Sequence, residues 1–388
     1  MRRFAASIAA VLAIGACRPA PVAVPAPSCG GSPCLWDGLA AGVDSGVRAG
    51  AAPGAVVAVS VGGWRFIHAV GQLGSEVSQP VGPRTVYDLA SLTKVVALTT
   101  VMMFAVDQGR IRLDDPVQRY LPEFVGPNKE AVTVRNLLTH SSGLPAHRPL
   151  WREAPGRDSA LALVAAMPLD TLPGFRMVYS DLGAILLTRI VERAYGQPID
   201  ALFRSMVASP LRLKSTRFLP PKSWLGRIAP TERDPWRGRL IHGEVHDENA
   251  AFLGGVSGHA GLFSDALDLL TFGEWLLGRR NPELARPGPG LREAVVRDFT
   301  HRQELVAGSS RALGWDTPSP GSSAGTRLSA ESFGHTGFTG TSIWVDPTRA
   351  LVVVLLSNRV NPTRDNPRLG PLRVLVTDRA VAALEPHH

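Results

Sequence analysis

Ser91-Leu92-Thr93-Lys94 and the run VVALTTVMMFAVDQG after it, residues 95–109, form the most informative stretch of this 388-residue sequence. Nearly every residue from 95 to 106 is apolar, and Gly109 is typical of a helix end. A helix that is apolar nearly all round is a buried helix. Ser91 and Lys94 are three residues apart, so we expect them to share one face at the mouth of a core helix.

This spacing suits nucleophilic catalysis. A serine hydroxyl is a weak nucleophile until a neighbouring base takes its proton. A lysine amine is such a base only when it is neutral, and both burial and the positive end of a helix lower a lysine pKa. Backbone N–H groups in the first turn can stabilise an oxyanion. The alternative is that Ser91 caps the helix and Lys94 is incidental, although a capping box has Glu or Gln three residues after the cap.

The N-terminal residues resemble a bacterial export signal. Arg2 and Arg3 precede a short apolar core, and Ile-Gly-Ala-Cys17 resembles the lipobox, in which the signal is cut before a cysteine that becomes lipidated. Residues 1–16 are therefore predicted to be a lipoprotein signal peptide, and the Pro/Ala-rich residues 17–34 a tether. A simple secretory signal cut nearby is the alternative.

The three cysteines agree with export. If Cys17 carries lipid, Cys29 and Cys34 are left as a pair that can close a small loop in an oxidising compartment, or as two free thiols. The sequence thus predicts a lipid-anchored protein at the periplasmic face, with the outer membrane suggested by resemblance. The net charge of +8 comes from arginines scattered along the chain, without a basic helix, zinc spacing or RNA-binding signature, which argues against nucleic acid as a partner.

The secondary-structure signals fall into two blocks. Two β-rich runs joined by Gly62-Gly63 predict a hairpin, and further strands are predicted near the end of the chain. The predicted strands cover residues 55–61, 64–70, 312–315, 332–338, 341–345 and 350–357. The predicted helices, besides the one after Ser91, cover residues 35–47, 133–138, 158–166, 182–194, 266–277 and 371–384. This order predicts an α+β domain over residues 35–388, with an antiparallel sheet built from both chain ends, flanking helices and a mostly helical insert at about 110–300.

Two further motifs follow Ser91 and Lys94 in the chain. Tyr179-Ser180-Asp181 precedes an apolar helix, and His335-Thr336-Gly337 lies on a predicted strand. The order Ser-x-x-Lys, Tyr-x-(Asn/Asp), (Lys/His)-Thr-Gly resembles the serine β-lactamase and penicillin-binding protein superfamily, in its class C branch with D,D-peptidases and esterases. The flanks GRIRLDDP (109–116), NLLTHSSGLP (136–145) and GGVSGHAGLFS (254–264) are similar to that branch as well, and the likeness runs from about residue 37 to 384.

The resemblance implies a β-lactamase/transpeptidase-like fold and a role for each motif. Ser91 would attack a carbonyl carbon and form an acyl-enzyme. Lys94 and Tyr179 would share the proton transfers. The N–H groups of Ser91 and Phe338 would form the oxyanion hole, and water would then release the acyl group without any metal or cofactor.

Two positions depart from the pattern. Asp181 stands where β-lactamases and most penicillin-binding proteins have Asn, and a carboxylate cannot donate a hydrogen bond to a substrate carbonyl. This argues against efficient β-lactam hydrolysis; it suits a substrate N–H or cation, or an Asp that caps the next helix. His335 stands where class C β-lactamases have Lys, so a permanent charge for a substrate carboxylate is missing. Some D,D-peptidases of the superfamily also carry His-Thr-Gly.

The remaining histidines need no catalytic role. His242 and His246 lie among acidic residues, but His-x-Glu-x-His is not the metalloprotease order, and no metal is predicted. His246 and Asn249 either line the cleft or satisfy a loop. His140 and His259 are expected to make loop hydrogen bonds.

These observations lead to one leading hypothesis about function and three alternatives. The first is a serine hydrolase that cleaves an amide in peptidoglycan-derived peptides, by D,D-carboxypeptidase or related amidase chemistry. The alternatives are a β-lactamase, a carboxylesterase of the same fold, and a non-catalytic sensor of β-lactams or muropeptides. The expected partners are these small molecules and, through the lipid, a membrane; the sequence leaves the oligomeric state open.

Overall fold

The structure is a computed structural model that describes residues 35–285 and 287–385. Cys17, Cys29 and Cys34, with the predicted signal peptide and tether, lie outside the described residues. The α-helices are α1 Asp37–Arg48, α2 Thr100–Asp107, α3 Val134–Leu138, α4 Leu150–Glu153, α5 Arg157–Ala166, α6 Asp181–Tyr195, α7 Ile199–Phe203, α8 Glu248–Phe252, α9 Ala266–Arg280, α10 Glu293–Thr300 and α11 Leu369–Ala382. A π-helical segment, Lys94–Thr99, leads directly into α2, and a second, Arg204–Ala208, follows α7.

The strands come mainly from the two ends of the domain. They are β1 Gly54–Val61, β2 Trp64–Gly74, β3 Val77–Pro80, β4 Tyr87–Asp88, β5 Arg217–Phe218, β6 Arg233–Asp234, β7 Arg239–Leu240, β8 Leu262–Ser264, β9 Phe333–Thr336, β10 Ser342–Asp346 and β11 Leu351–Ser357. Six of them form one antiparallel sheet in the order β3-β2-β1-β11-β10-β9. The predicted sheet from both chain ends is thereby confirmed.

Helices cover both faces of this sheet. Val57 and Val59 of β1 belong to the apolar cluster under α1 and α11, whereas Val56 and Ala58 belong to the main core on the other side. Alternate residues of a strand face opposite sides, so a strand that is apolar throughout must be covered on both. The apolar run after Ser91 lies in that main core, as its composition predicts.

Two sequence predictions about strands need correction. Residues 312–315 are not a strand: Gly314 has a φ of +80° and its N–H donates to the Leu138 carbonyl, so the segment turns away from the sheet. The insert also contains the short strands β5 to β8, which the sequence analysis missed because two or three residues are too few to show an alternation. β8 pairs with β4 and β5, and β4 ends three residues before Ser91.

Candidate active site

Ser91 lies at the end of a strained turn between β4 and the core helix. Ala90 has a φ of +46°, a left-handed conformation that is costly for a residue with a Cβ. The buried Asp88 side chain holds this turn, because its carboxylate accepts from the N–H of Ala90 at 2.8 Å and from the N–H of His246 at 2.6 Å. Asp88 therefore fixes the turn that places Ser91 at the start of the core helix.

Lys94 is buried beside Ser91, and all three of its N–H donors have partners. Nζ lies 3.0 Å from the Ser91 hydroxyl oxygen, 2.9 Å from the His259 carbonyl oxygen and 2.7 Å from Asp181 Oδ1. Burial by itself lowers the pKa of Lys94, but Asp181 and then Tyr179 together outweigh burial, and the pKa is raised above its ordinary value. The contact with Asp181 therefore favours the ammonium form of Lys94 rather than the neutral amine that a general base needs.

Asp181 owes its charge to two basic neighbours. Burial alone would raise its pKa, but Lys94 and then His147 hold the pKa of Asp181 well below its usual range. His147 Nδ1 lies 3.8 Å from Asp181 Oδ2, and this contact raises the pKa of the half-exposed His147. Asp181 does not cap α6, since the Ser180 hydroxyl accepts from the Gly183 N–H as the N-cap. Asp181 is therefore paired with Lys94 of the same chain, and not left free for the substrate cation that the sequence analysis considered.

Tyr179 is surrounded by rings and cations. Its ring centroid lies 4.5 Å from that of His140 and 5.7 Å from that of His335. Lys94 Nζ and Arg311 Cζ each lie 5.1 Å from the same centroid, within cation–π range. The buried Tyr179 hydroxyl has no hydrogen-bond partner among the described residues. Tyr179 thus borders the cleft beside Lys94 with a hydroxyl that is free to contact a substrate or Ser91.

The His335-Thr336-Gly337 segment runs along the edge strand β9 beside the Ser91 turn. A Cβ on Gly337 would lie 2.4 Å from the Leu89 carbonyl oxygen and 2.1 Å from Thr341 Oγ1, so only glycine allows this approach. Thr341 Oγ1 and Thr339 Oγ1 donate to the Leu89 and Asp88 carbonyls, which ties the segment to the turn. The N–H groups of Ser91 and Phe338 donate to no other described residue and border one cleft, as oxyanion donors should.

The cleft has a volume of about 490 Å³ and contains every catalytic and substrate-binding residue that the sequence predicts except Lys94, which lies buried beneath it. His335 is neutral, because burial, followed by the nearby Arg311 and Lys94 charges, keeps its pKa well below the ordinary value. A neutral His335 leaves the cleft without the charge of the lysine that class C β-lactamases have at this position. Arg311 and Arg373 line the same cleft, and neither was found by sequence reasoning.

An ionic network adjoins the cleft through His246 and Arg364, which line it. Glu232 accepts from Arg364 Nε at 2.7 Å and lies 2.8 Å from His246 Nε2. Burial raises the pKa of Glu232, but these two hydrogen bonds outweigh it and lower the pKa to about 2.

The other histidine of the His-x-Glu-x-His sequence, His242, contacts the Ile228 carbonyl. Within the described residues no His, Cys, Asp and Glu groups gather in a metal-binding arrangement. His246 lines the cleft, whereas Asn249 is buried behind it and donates to the Arg148 carbonyl.

A comparison with protein families agrees with this geometry. The Beta-lactamase family model matches residues 39–378 of the chain.

The chain belongs to the Beta-lactamase family.

Among curated relatives, an Escherichia coli (strain K12) protein named "Putative D-alanyl-D-alanine carboxypeptidase" is 32% identical over 332 residues, which are 76% of this chain and 74% of that protein.

Solved structures of other members share the fold. A penicillin-binding protein homologue from Caulobacter crescentus matches with a TM-score of 0.74 and 23% identity, over 90% of this chain and 98% of that one. A class C β-lactamase from Rhodobacter sphaeroides matches with a TM-score of 0.70 and 24% identity, over 90% and 99%. Together with the curated relatives, these matches support a serine hydrolase of the Beta-lactamase family.

Several residues of this family member gave no usable signal in the sequence. Asp88, Arg311 and Arg373 lie outside the three motifs; Arg311 and Arg373 line the cleft, whereas Asp88 holds the turn before Ser91. His140 and His259 do make the expected hydrogen bonds: His140 Nδ1 accepts from the Ser180 N–H, and His259 contacts Ser257 and Asp247. None of the helices in the described residues is long and apolar enough to span a membrane.

Proposed function

We propose that this serine hydrolase is a D,D-carboxypeptidase or a closely related amidase, which forms an acyl-enzyme at Ser91 and releases a C-terminal amino acid from a peptidoglycan-derived peptide. In this mechanism Tyr179 acts as the phenolate beside the Lys94 and Arg311 cations, and it takes the Ser91 proton as Oγ bonds to the carbonyl carbon. The carbonyl electrons move onto its oxygen, which faces the N–H groups of Ser91 and Phe338. Collapse breaks the C–N bond as Tyr179 passes that proton to the leaving nitrogen. Water then gives a proton to Tyr179 as it adds to the ester carbonyl, and release of the acid returns this proton to Ser91 Oγ.

The observation that carries the proposal is a pair of cleft arginines whose buried nitrogens lack hydrogen-bond partners among the described residues. Arg311 Nε and Nη1 are buried without hydrogen-bond partners among the described residues, and Nη2 only approaches Asp316, at 3.9 Å. Arg373 Nη2 donates to the carbonyls of Gly337 and Thr341, while its buried Nε has no such partner. Burial, and then Arg359, lower the pKa of Arg373 to about 10.

A substrate carboxylate beside the scissile bond would supply the missing partners. Guanidinium groups bind carboxylates in a bidentate manner, and an unpaired buried charge is costly. This favours a peptide with a free C-terminus over a simple ester. A β-lactam also carries a carboxylate, but Asp181 offers no donor at the position where β-lactamases present an amide.

The test compares two peptides that differ only at the C-terminus. Release of D-alanine from an N-acylated L-Lys-D-Ala-D-Ala peptide is expected, and Ser91→Ala should abolish it. Conversion of the terminal carboxylate to a carboxamide should lower kcat/KM about 10- to 100-fold, the range for a lost charged hydrogen bond. Arg311→Gln should remove most of this difference, whereas Arg157→Gln, at an exposed residue outside the cleft, should leave it unchanged.

Other outcomes would identify another function. Rapid penicillin hydrolysis without peptide cleavage would indicate a β-lactamase. Faster turnover of short-acyl esters would indicate an esterase, and a lasting penicillin adduct without any turnover would indicate a sensor. An adduct that persists in Ser91→Ala, by intact mass, would refute the assignment of the nucleophile.

We further propose a lipid anchor at Cys17 and a periplasmic location. Both rest on the sequence alone, because Cys17 lies outside the described residues.

A further inference from the structure

We propose that His335 selects substrates whose leaving group carries an N–H, so that the site accepts peptide amides and disfavours esters and β-lactams. This inference rests on the proposed amide hydrolysis and adds a specificity-determining residue to it. It depends on the tautomer of His335, on an unpaired nitrogen, and on the charges around that nitrogen.

The main chain determines the tautomer. His335 Nδ1 lies 2.8 Å from the Thr336 carbonyl oxygen. A carbonyl oxygen can only accept, so Nδ1 must carry the hydrogen of this bond. Burial, followed by the Arg311 and Lys94 charges, lowers the pKa of His335 and so favours the neutral ring. A neutral imidazole has one N–H, and Nε2 is therefore left with a lone pair and can only accept.

This acceptor has no partner. His335 is 4% exposed, and Nε2 is buried without a hydrogen bond among the described residues. Buried polar atoms without partners are rare and costly, and one that borders a cleft is a natural ligand contact. Because Nε2 cannot donate, the missing partner must bring an N–H or an O–H. A lysine at this position, as in class C β-lactamases, would itself donate a hydrogen bond and would need an acceptor from the substrate.

The charges around His335 indicate which donor fits. Arg311 and Arg373, which each keep buried nitrogens without hydrogen-bond partners, line the same cleft and favour a carboxylate. In a peptide with a free C-terminus, one Cα separates that carboxylate from the scissile N–H. The two groups can therefore reach the arginines and His335 together.

Esters and β-lactams lack the required donor. The ester oxygen of a depsipeptide would place lone pairs against the lone pair of Nε2, and the ring nitrogen of a β-lactam carries no hydrogen. A site built around a substrate N–H rejects the analogue without it, because the protein group is left unpaired. The other candidate partner within the protein is the Tyr179 hydroxyl, whose ring centroid is 5.7 Å away but which is not bonded to His335.

The test uses a peptide ending in D-Ala-D-Ala and the depsipeptide ending in D-Ala-D-lactate. Esters are intrinsically more reactive, so the informative quantity is the ratio of kcat/KM for peptide over depsipeptide in each enzyme. His335→Leu should lower this ratio about tenfold or more, because only the peptide loses a hydrogen bond. His335→Gln, which retains an acceptor oxygen, should restore most of it, and His301→Leu, at an exposed histidine outside the cleft, should not change it. An unchanged ratio in His335→Leu would overturn the proposal and leave Tyr179 as the partner.

A second measurement does not depend on turnover or on variants of His335. In the Ser91→Ala protein labelled with ¹⁵N-histidine, NMR should show His335 with a protonated Nδ1 and a bare Nε2. Excess peptide should shift the Nε2 resonance, and the depsipeptide should not. A protonated Nε2, or equal responses to both ligands, would refute the inference. A wild type that releases no D-alanine would refute the carboxypeptidase proposal, while the NMR response would still decide the role of His335.

Discussion

At the scale of single residues, the pairing of Lys94 with Asp181 changes what the first motif can do. The 2.7 Å contact favours the charged amine, and its remaining donors go to Ser91 and the His259 carbonyl. Lys94 therefore holds the Ser91 oxygen in place, and the proposed mechanism assigns the base to Tyr179 instead.

This pairing predicts the effect of Asp181→Asn. Removal of one partner of a buried ion pair leaves the other charge uncompensated, and we expect the free energy of unfolding at pH 7 to fall by about 3 kcal/mol. The pKa of Lys94 should fall as well, since burial then acts without the carboxylate. Urea unfolding measures the first effect, with the exposed Asp170→Asn as control. An unchanged free energy would mean that the pair contributes nothing to stability.

At the scale of elements, the site depends on how closely β9 approaches the turn between β4 and the core helix. Gly337 touches the Leu89 carbonyl, and Arg373 of α11 donates to the carbonyls of Gly337 and Thr341 from the other side. The Phe338 N–H follows directly in the chain. The distance between the two proposed oxyanion donors is therefore controlled by one glycine and one arginine.

Gly337→Ala tests this control. The new Cβ would lie 2.4 Å from the Leu89 carbonyl oxygen, so β9 must move away from Ser91. We expect kcat to fall about 100-fold or more, as when one oxyanion donor is lost, with a smaller change in KM. Gly370→Ala, with nothing within 4 Å of its new Cβ, should leave kcat unchanged. Equal kcat values for the two variants would show that the contact at Gly337 does not control the oxyanion donors.

At the scale of the whole molecule, carboxylates with lowered pKa values connect distant parts of the chain. Glu232 joins His246 to Arg364, and Asp181 joins α6 to Lys94. A carboxyl group whose folded pKa is lowered stabilises the fold at any pH above its unfolded pKa, and that contribution is lost as the pH falls toward its folded pKa. For Glu232 the window runs from its ordinary value of 4.5 down to about 2.

The stability of the protein should therefore fall between pH 5 and pH 2. After screening by solvent, we expect Glu232 to account for about 1–2 kcal/mol of that loss. Urea unfolding across this range should give a shallower decline for Glu232→Gln than for the wild type. Glu130→Gln, at an exposed residue, should reproduce the wild-type slope. Parallel slopes for all three proteins would exclude Glu232 from the acid response.

Patterns that act over a few neighbouring residues could be predicted without the structure. The apolar run after Ser91 indicated a buried helix, and Gly62-Gly63 indicated the hairpin, in which both residues have positive φ. The i, i+3 spacing of Ser91 and Lys94 indicated their contact, now 3.0 Å. The strand prediction at residues 312–315 failed because Gly314 bonds to Leu138, a partner far away in the chain.

The sequence by itself determined the core helix, the sheet built from both ends and the order of the three motifs, because hydrophobic periodicity, turn residues and helix spacing act locally. Only the tertiary structure decided that Asp181 pairs with Lys94, that His335 Nε2 has no hydrogen-bond partner among the described residues, and that Arg311 and Arg373 line the cleft. The physical reason is that protonation and hydrogen bonding depend on burial and on the few ångströms between groups. Those distances arise only when residues from distant parts of the chain, such as Lys94 and Asp181, meet at one site.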